Sequence, residues 1–182
     1  MVISLSDCVQ HRLIKNLQIK PFDCSDSDLN EFLISDSYHY LAELLAVTYV
    51  YEFNGQTVAF FSVSNDTISF SEKTLSKTEW NRLRRTYPNR KRLNKLPAVK
   101  IGRLGVHMVF QKAGIGTQLL DYIKFLFIDN NKTGCRYITV DAYNNARTTA
   151  FYKKNSFEFL TQNDSEERTR LMYFDLKRFV GS

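Results

Sequence analysis

The sequence predicts an α+β fold, with a mixed, largely antiparallel central sheet and helices on both of its faces. Three observations lead there. Two β-branched and aromatic runs, 46–53 and 57–64, are separated by Asn54-Gly55-Gln56, and Asn-Gly between such runs is a strong hairpin signal. The patterns follow each other as strand–helix–strand–strand–strand–helix–strand–helix–strand–strand, which is not a repeating βαβ order. Finally, the apolar run ending in Val106-His107-Met108-Val109-Phe110 enters a turn holding Gly114 and Gly116, and an amphipathic helix starts at once.

Taken in order, 11–20 reads as a first strand ending at Pro21. Ser25 or Asp26 can cap the helix that follows, which carries Leu29, Phe32 and Leu33 at helical spacing and is expected to reach about Leu44. After the hairpin, 65–96 breaks the rhythm. Ser76 and Glu79 have capping-box spacing before a short helix through Trp80, Leu83 and Arg84, and Tyr87-Pro88-Asn89 reads as a turn. We expect this piece to be a basic insertion on a single domain spanning 1–182, too short to own a core. Pro97–Met108 is the central strand, and Gly102 and Gly105 inside it suggest a bulge or a close approach by a ligand.

The helix after the glycine turn has Ile115, Leu119, Leu120, Ile123, Leu126 and Phe127 on one face and stops before Gly134. Cys135–Val140 is a further buried strand ending at Asp141. Asn144 or Asn145 caps a helix through Ala150, Phe151 and Tyr152. Strands at 157–160 and 171–176 close the chain around a polar loop.

At 182 residues the chain can bury a substantial core. It contains no apolar run of membrane-spanning length and no signal-peptide pattern, so a cytoplasmic protein without membrane association is expected. Cys8, Cys24 and Cys135 fit neither a disulfide framework nor a metal site, since no Cys-x-x-Cys or histidine cluster accompanies them; we read them as reduced thiols, with no bound metal. The net charge of +6 is uneven: Arg82, Arg84, Arg85, Arg90, Lys91, Arg92 and Lys95 share one segment without an acid. Such a block is either a solvated basic insertion or a surface that attracts phosphates.

A strand–glycine turn–helix junction presents unpaired N–H groups at the positive end of a helix dipole, which suits a phosphate or pyrophosphate. An ordinary structural turn fits the same residues. The element order argues against a dinucleotide-binding domain.

Gln111-x-x-Gly114-x-Gly116, together with Asn145, Ala150-Phe151-Tyr152 and Phe157, resembles the GNAT superfamily of acyl-CoA-dependent N-acyltransferases. One departure is Ser156, where that family usually has glycine. The resemblance implies a splayed acetyl-CoA cleft in which Leu104, Gly105 and Val106 give backbone contacts to the pantetheine arm. It implies that Gln111, Lys112, Ala113, Gly114, Ile115 and Gly116 hold the pyrophosphate, that Asn145 bonds the pantetheine arm or caps its helix, and that Tyr152 protonates the departing thiolate. No cysteine is placed as an acyl carrier, so direct transfer to an amine is expected. His107 beside the turn is read as structural.

A narrower resemblance joins Phe22-Asp23-Cys24-Ser25, Arg82-Leu83-Arg84-Arg85-x-x-Pro88, Gly102-Arg103-Leu104-Gly105-Val106 and Val140-Asp141-Ala142 to the branch of toxins that acetylate aminoacyl-tRNA. That branch implies a tRNA contact through Arg82, Arg84, Arg85, Arg90, Lys91 and Arg92, an antitoxin protein as partner, and a homodimer. A small-molecule amine or a protein N-terminus as acceptor stays open. So does a non-catalytic module that binds coenzyme A or nucleic acid.

Overall fold

A computed structural model describes residues 3–71, 75–131 and 133–180. Residues 72–74 of the expected insertion lie outside the described residues. Among the described residues seven strands form one sheet in the order β1-β2-β3-β4-β5-β7-β6. They are β1 (Val9–Arg12), β2 (Val47–Phe53), β3 (Gln56–Ser69), β4 (Lys95–Val106), β5 (Tyr137–Tyr143), β6 (Glu158–Phe159) and β7 (Thr169–Asp175). The pairs β1–β2, β2–β3, β5–β7 and β6–β7 are antiparallel, and β4–β5 is parallel. The helices are α1 (Ser27–Glu31), α2 (Ser37–Ala42), α3 (Lys77–Leu83), α4 (Ile115–Ile128), α5 (Ala146–Lys154) and α6 (Lys177–Val180). Among the described residues no helix is long and apolar enough to cross a membrane.

The chain divides into two compact units, Met1–Ser64 with Ile101–Ile123 and Asn65–Lys100 with Lys124–Ser182. The first has a core of Phe22, Cys24, Phe32, Leu33, Val50 and Phe60. The second packs Leu75, Trp80, Leu83 and Leu96 against Ile68, Ala98, Tyr137, Leu160 and Tyr173. The piece expected as an insertion thus supplies core residues to its unit.

Local signals held where side chain meets backbone. Asn54 and Gly55 both take positive φ (49° and 76°), as a two-residue turn between right-twisted strands requires. The Asp26 carboxylate accepts from Leu29 N–H, and Ser76 with Glu79 closes its capping box. The helix begun at Ser27 carries a π segment at Phe32–Asp36, where the Ser37 hydroxyl donates to Leu33 C=O at 2.7 Å, and it ends at Ala42 rather than at Leu44.

The expected strand over 11–20 is corrected. β1 ends at Arg12, Leu13 N–H makes one further bond to Thr48 C=O, and the chain then turns as Leu17 N–H meets Ile14 C=O. Beyond Leu13 the stretch joins no ladder among the described residues. β3 runs five residues past the expected end at Ser64, and β4 starts at Lys95 and stops at Val106. The later strands also shift, to 137–143, 158–159 and 169–175, and α6 was not anticipated.

Candidate active site

The glycine turn belongs to the first unit. β4 delivers it, and three bonds fix the exit: His107 N–H to Val58 C=O and Met108 N–H to Asp23 C=O, both 2.8 Å, and Phe110 N–H to His107 C=O. The buried His107 ring accepts from Val109 N–H at Nδ1 (3.3 Å), while Nε2 lies 2.9 Å from the Gln56 side-chain amide. Both ring nitrogens are engaged, so His107 builds the turn, as its sequence position suggested.

Gln111 donates through Nε2 to Cys24 C=O and to Val106 C=O, both at 3.0 Å. It clamps the loop from inside. Lys112 and Gly114 follow at positive φ (64° and 86°), and Gly114 C=O accepts from Gln118 N–H at 3.1 Å, so the first intrahelical bond of α4 springs from a residue with no side chain to cap it. Among the described residues the N–H groups of 112 to 117 meet no acceptor. A Cβ on Gly114 would have only Gln118 Nε2 nearby, at 3.8 Å. The result is an open row of amides at the N-terminus of a 14-residue helix, the arrangement that holds a diphosphate.

Before this turn, β4 has paired with β5 only over Ala98–Lys100 against Tyr137–Thr139. Leu104, Gly105 and Val106 lie beyond that ladder. Gly105 has a further reason to be glycine: a Cβ there would fall 2.6 Å from Phe60 Cε1 and 3.2 Å from Phe22 Cζ.

The second unit carries Asn145 and Tyr152. Asn145 is the N-cap of α5, its Oδ1 accepting from Thr148 N–H at 2.8 Å. Its Nδ2 has no partner among the described residues, so capping leaves the donor half of the amide available. Tyr152 is buried at 6% exposure, edge-on to Phe151 (5.1 Å between centroids) and Phe157 (5.3 Å). Burial pushes its phenol well above the ordinary value, which keeps the proton on Oη at neutral pH. Among the described residues that hydroxyl meets no hydrogen-bond partner. α5 ends in a left-handed residue, Ser156 at φ 67°, with Phe157 N–H returning to Tyr152 C=O. This is the position where the family pattern has glycine, and the backbone shows why.

The acid-free basic residues separate into two groups. Arg84 is used locally: it donates to Asn81 Oδ1, to Arg90 C=O at 2.6 Å, and lies over the Trp80 ring. Arg82, Arg85, Arg90, Lys91 and Arg92 are exposed. In the same unit a cavity of about 300 Å³ has Arg82 and Arg85 on its wall together with Arg136, Lys177 and Arg178. The last three are far away in sequence and no motif announces them. All three cysteines are free, and among the described residues no cluster of His, Cys, Asp or Glu could hold a metal.

A family model for the acetyltransferase (GNAT) domain matches residues 45–159. The chain belongs to the GNAT acetyltransferase family. It is an acetyl-CoA-dependent N-acetyltransferase, and the open amide row falls inside the matched region. Comparison with curated proteins gives no match. Among solved structures the acetyltransferase is similar to AtaT complexed with acetyl-methionyl-tRNAfMet, with a TM-score of 0.77 and 19% identity over 96% of this chain and 98% of that one. It is similar to a variant of KacT (TM-score 0.75, 20% identity, 96% and 98%). It is also similar to AtaTR bound with AcCoA (TM-score 0.74, 19% identity, 97% and 99%). At these identities the likeness establishes the shared fold.

Proposed function

We propose that the amine acceptor is the α-amino group of an aminoacyl-tRNA, and that the enzyme acts in the cytoplasm as a translation-blocking toxin restrained by a protein antitoxin. The observation that carries this reading is the charge of the chain around the turn. Residues 80–120 contain no Asp or Glu, and eight of the basic side chains there are exposed. Such a surface repels a polyamine and attracts a phosphate backbone. The full-length likeness to AtaT, solved with an acetylated aminoacyl-tRNA, supports the same acceptor.

Acetyl-CoA supplies an activated acetyl thioester. The amides of 112 to 116 would hold its pyrophosphate, with Gln111 acting through the shape of the loop. Lys112 adds a positive charge beside the amide row. The β4 backbone at Leu104, Gly105 and Val106 and the Asn145 Nδ2 would bind the pantetheine arm. Tyr152 holds a proton at Oη for the departing thiolate, and its unpaired hydroxyl suits a role that needs an acceptor from outside the protein. Neither 104–116 nor 145–157 contains a carboxylate, and the one histidine in these segments has both nitrogens engaged. On this reading those segments supply no general base, and the acceptor arrives largely as neutral amine. An α-amino group titrates near pH 8, whereas alkylamines of lysine type titrate above 10. That difference again favours an aminoacyl group. A homodimer completes the proposal by family resemblance, and light scattering tests it.

Radiolabelled acetyl-CoA offered in parallel with charged tRNA, uncharged tRNA, polyamines and peptides is the direct test. Label entering charged tRNA alone is expected. Label entering only small amines or peptides refutes the acceptor. Tyr152→Phe should lower turnover by about 10²- to 10⁴-fold, the usual contribution of a general acid, with acetyl-CoA affinity unchanged.

A further inference from the structure

We propose that the cavity lined by Arg82, Arg85, Thr86, Arg136, Lys177 and Arg178 is a phosphate seat for an RNA backbone, extending the nucleic-acid contact from the basic segment to the C-terminal helix. The identity of the polyanion rests on the aminoacyl-tRNA reading; the cavity itself does not. Nothing in segments 104–116 or 145–157 lines it.

Its cations fall into two classes. Arg136 is fixed, giving Asp175 two bonds (Nε to Oδ1 2.9 Å, Nη2 to Oδ2 2.6 Å) and Thr86 one (2.5 Å), with the Tyr87 and Tyr137 rings 5.2 and 5.3 Å from its guanidinium carbon. Arg178 is fixed by Glu158, which also accepts from the Tyr173 hydroxyl. By contrast, the side chains of Arg82, Arg85 and Lys177 make no hydrogen bond or ion pair among the described residues. Five cations thus line one space with a single carboxylate, Asp175, which is already paired with Arg136, while Glu158 pairs with Arg178 and also feels the charge of Arg82. An anion entering the space would offset the excess positive charge on its wall. A fixed pair on the wall beside side chains with no internal hydrogen bond is the division expected of an anion site.

The cavity, about 300 Å³, is at the small end of ligand pockets, which span about 300–1,000 Å³. That is room for a phosphate and its sugar rather than a folded partner. Its positive charge continues through the exposed Arg90, Lys91, Arg92 and Lys95. An unbroken run of one sign follows the regularly spaced charges of a nucleic acid better than an acidic peptide, whose side chains require apolar contacts between them.

The test is fluorescence anisotropy of labelled deacylated tRNA, titrated with the full-length protein across a salt series, with a labelled Glu-rich peptide in a parallel arm. Arg82→Gln, Arg85→Gln and Lys177→Gln should each lower the slope of log affinity against log salt by about 0.9, with the triple variant losing between two and three. Lys15→Gln, an exposed cation of the other unit, should leave the slope unchanged. These side chains make no internal bonds, so melting temperatures should stay at the wild-type value. A triple variant with wild-type slope and affinity overturns the proposal, as does wild-type protein that binds no RNA. Peptide binding that the variants abolish while RNA binding persists also overturns it, in favour of an acidic protein partner. If RNA binding responds to the variants but charged tRNA is not acetylated, the acceptor reading fails and the phosphate seat stands. If charged tRNA is acetylated and the slope does not move, the seat fails alone.

Discussion

Gly105→Ala separates two reasons for a glycine in the central strand, close packing and close approach by a ligand. The added Cβ would sit 2.6 Å from Phe60 Cε1, and 3.2 Å from both Phe22 Cζ and Phe60 Cδ1. Carbon pairs are most favourable at about 3.5–4.0 Å, so these contacts are repulsive. Phe60 is fully buried, with Phe22 edge-on at 5.3 Å and Phe32 stacked at 6.2 Å, and it has no free side on which to retreat. Overpacking of this kind costs about 1–3 kcal/mol. For a chain of this length each kcal/mol lowers the melting temperature by about 2–4 °C, so a fall of roughly 2–12 °C is expected. Gly102→Ala is the control, because its Cβ meets only Ser62 C=O, at 3.8 Å. It should melt at or slightly above the wild-type temperature. Thermal melts followed by circular dichroism, with calorimetric acetyl-CoA binding alongside, read both effects. Phe60→Leu in the Gly105→Ala background should recover part of the loss, since the two positions touch. If Gly105→Ala keeps the wild-type melting temperature and instead loses acetyl-CoA affinity, the packing reason is wrong.

Three further substitutions probe the second unit. Ser156→Gly should stabilise by up to about 1 kcal/mol and raise the melting temperature by up to about 4 °C, because serine there holds φ 67°, a left-handed strain of about 1–2 kcal/mol set against about 0.4–1 kcal/mol of added unfolded-chain entropy; a lower melting temperature would show that the Ser156 side chain contributes more than its backbone costs. Asn145→Asp keeps the cap oxygen and removes the amide donor, so stability should hold while acetyl-CoA affinity falls; Asn145→Ala should in addition lose about 1 kcal/mol. Equal affinities for wild type and Asn145→Asp would confine Asn145 to capping. Burial pushes the Asp175 carboxyl up, but the hydrogen bonds and charge of Arg136 outweigh it, and the net pKa lies below the ordinary value. A carboxylate depressed in the folded state stabilises fully above its unfolded pKa, near 3.9, and loses that contribution as pH falls through the folded value. The stability gap between wild type and Asp175→Asn, from urea unfolding, should therefore be constant from about pH 5 to 8 and shrink below about pH 4. A gap that grows on acidification would contradict the pairing.

What could be read from the sequence was whatever a residue does to its own neighbourhood. Asn54-Gly55 sets its own turn, Asp26 and Asn145 cap their own helices, and Ser76 meets Glu79 three residues on. The misread stretches depend on partners elsewhere. Residues 13–20 are rich enough in Leu and Ile to read as strand, but only Leu13 finds a bond to β2. Asn65-Asp66 looks like a break in β3, yet Asp66 accepts from the Thr139 hydroxyl and the strand continues to Ser69. The packing demand on Gly105 needs Phe60 placed by the hairpin. The fixed cations of the phosphate seat need β5, β7 and α6 brought together, and a solitary Arg136 carries no sign of this.

The turn after β4 shows why a motif and its chemistry need not name the same atoms. Gln111 is the motif's polar residue and looked like a phosphate ligand, yet its amide closes the loop onto Cys24 and Val106. Removing that clamp would release the backbone from the conformation in which Lys112 and Gly114 sit at positive φ. The groups left to face an anion are backbone N–H donors, which every sequence possesses and only geometry exposes. Glycine at 114 is needed on both counts, since its φ of 86° favours it and its lack of a side chain leaves the helix uncapped. The side chains therefore specify this site indirectly. They hold open a row of amides that no single residue type would have revealed as a candidate anion site.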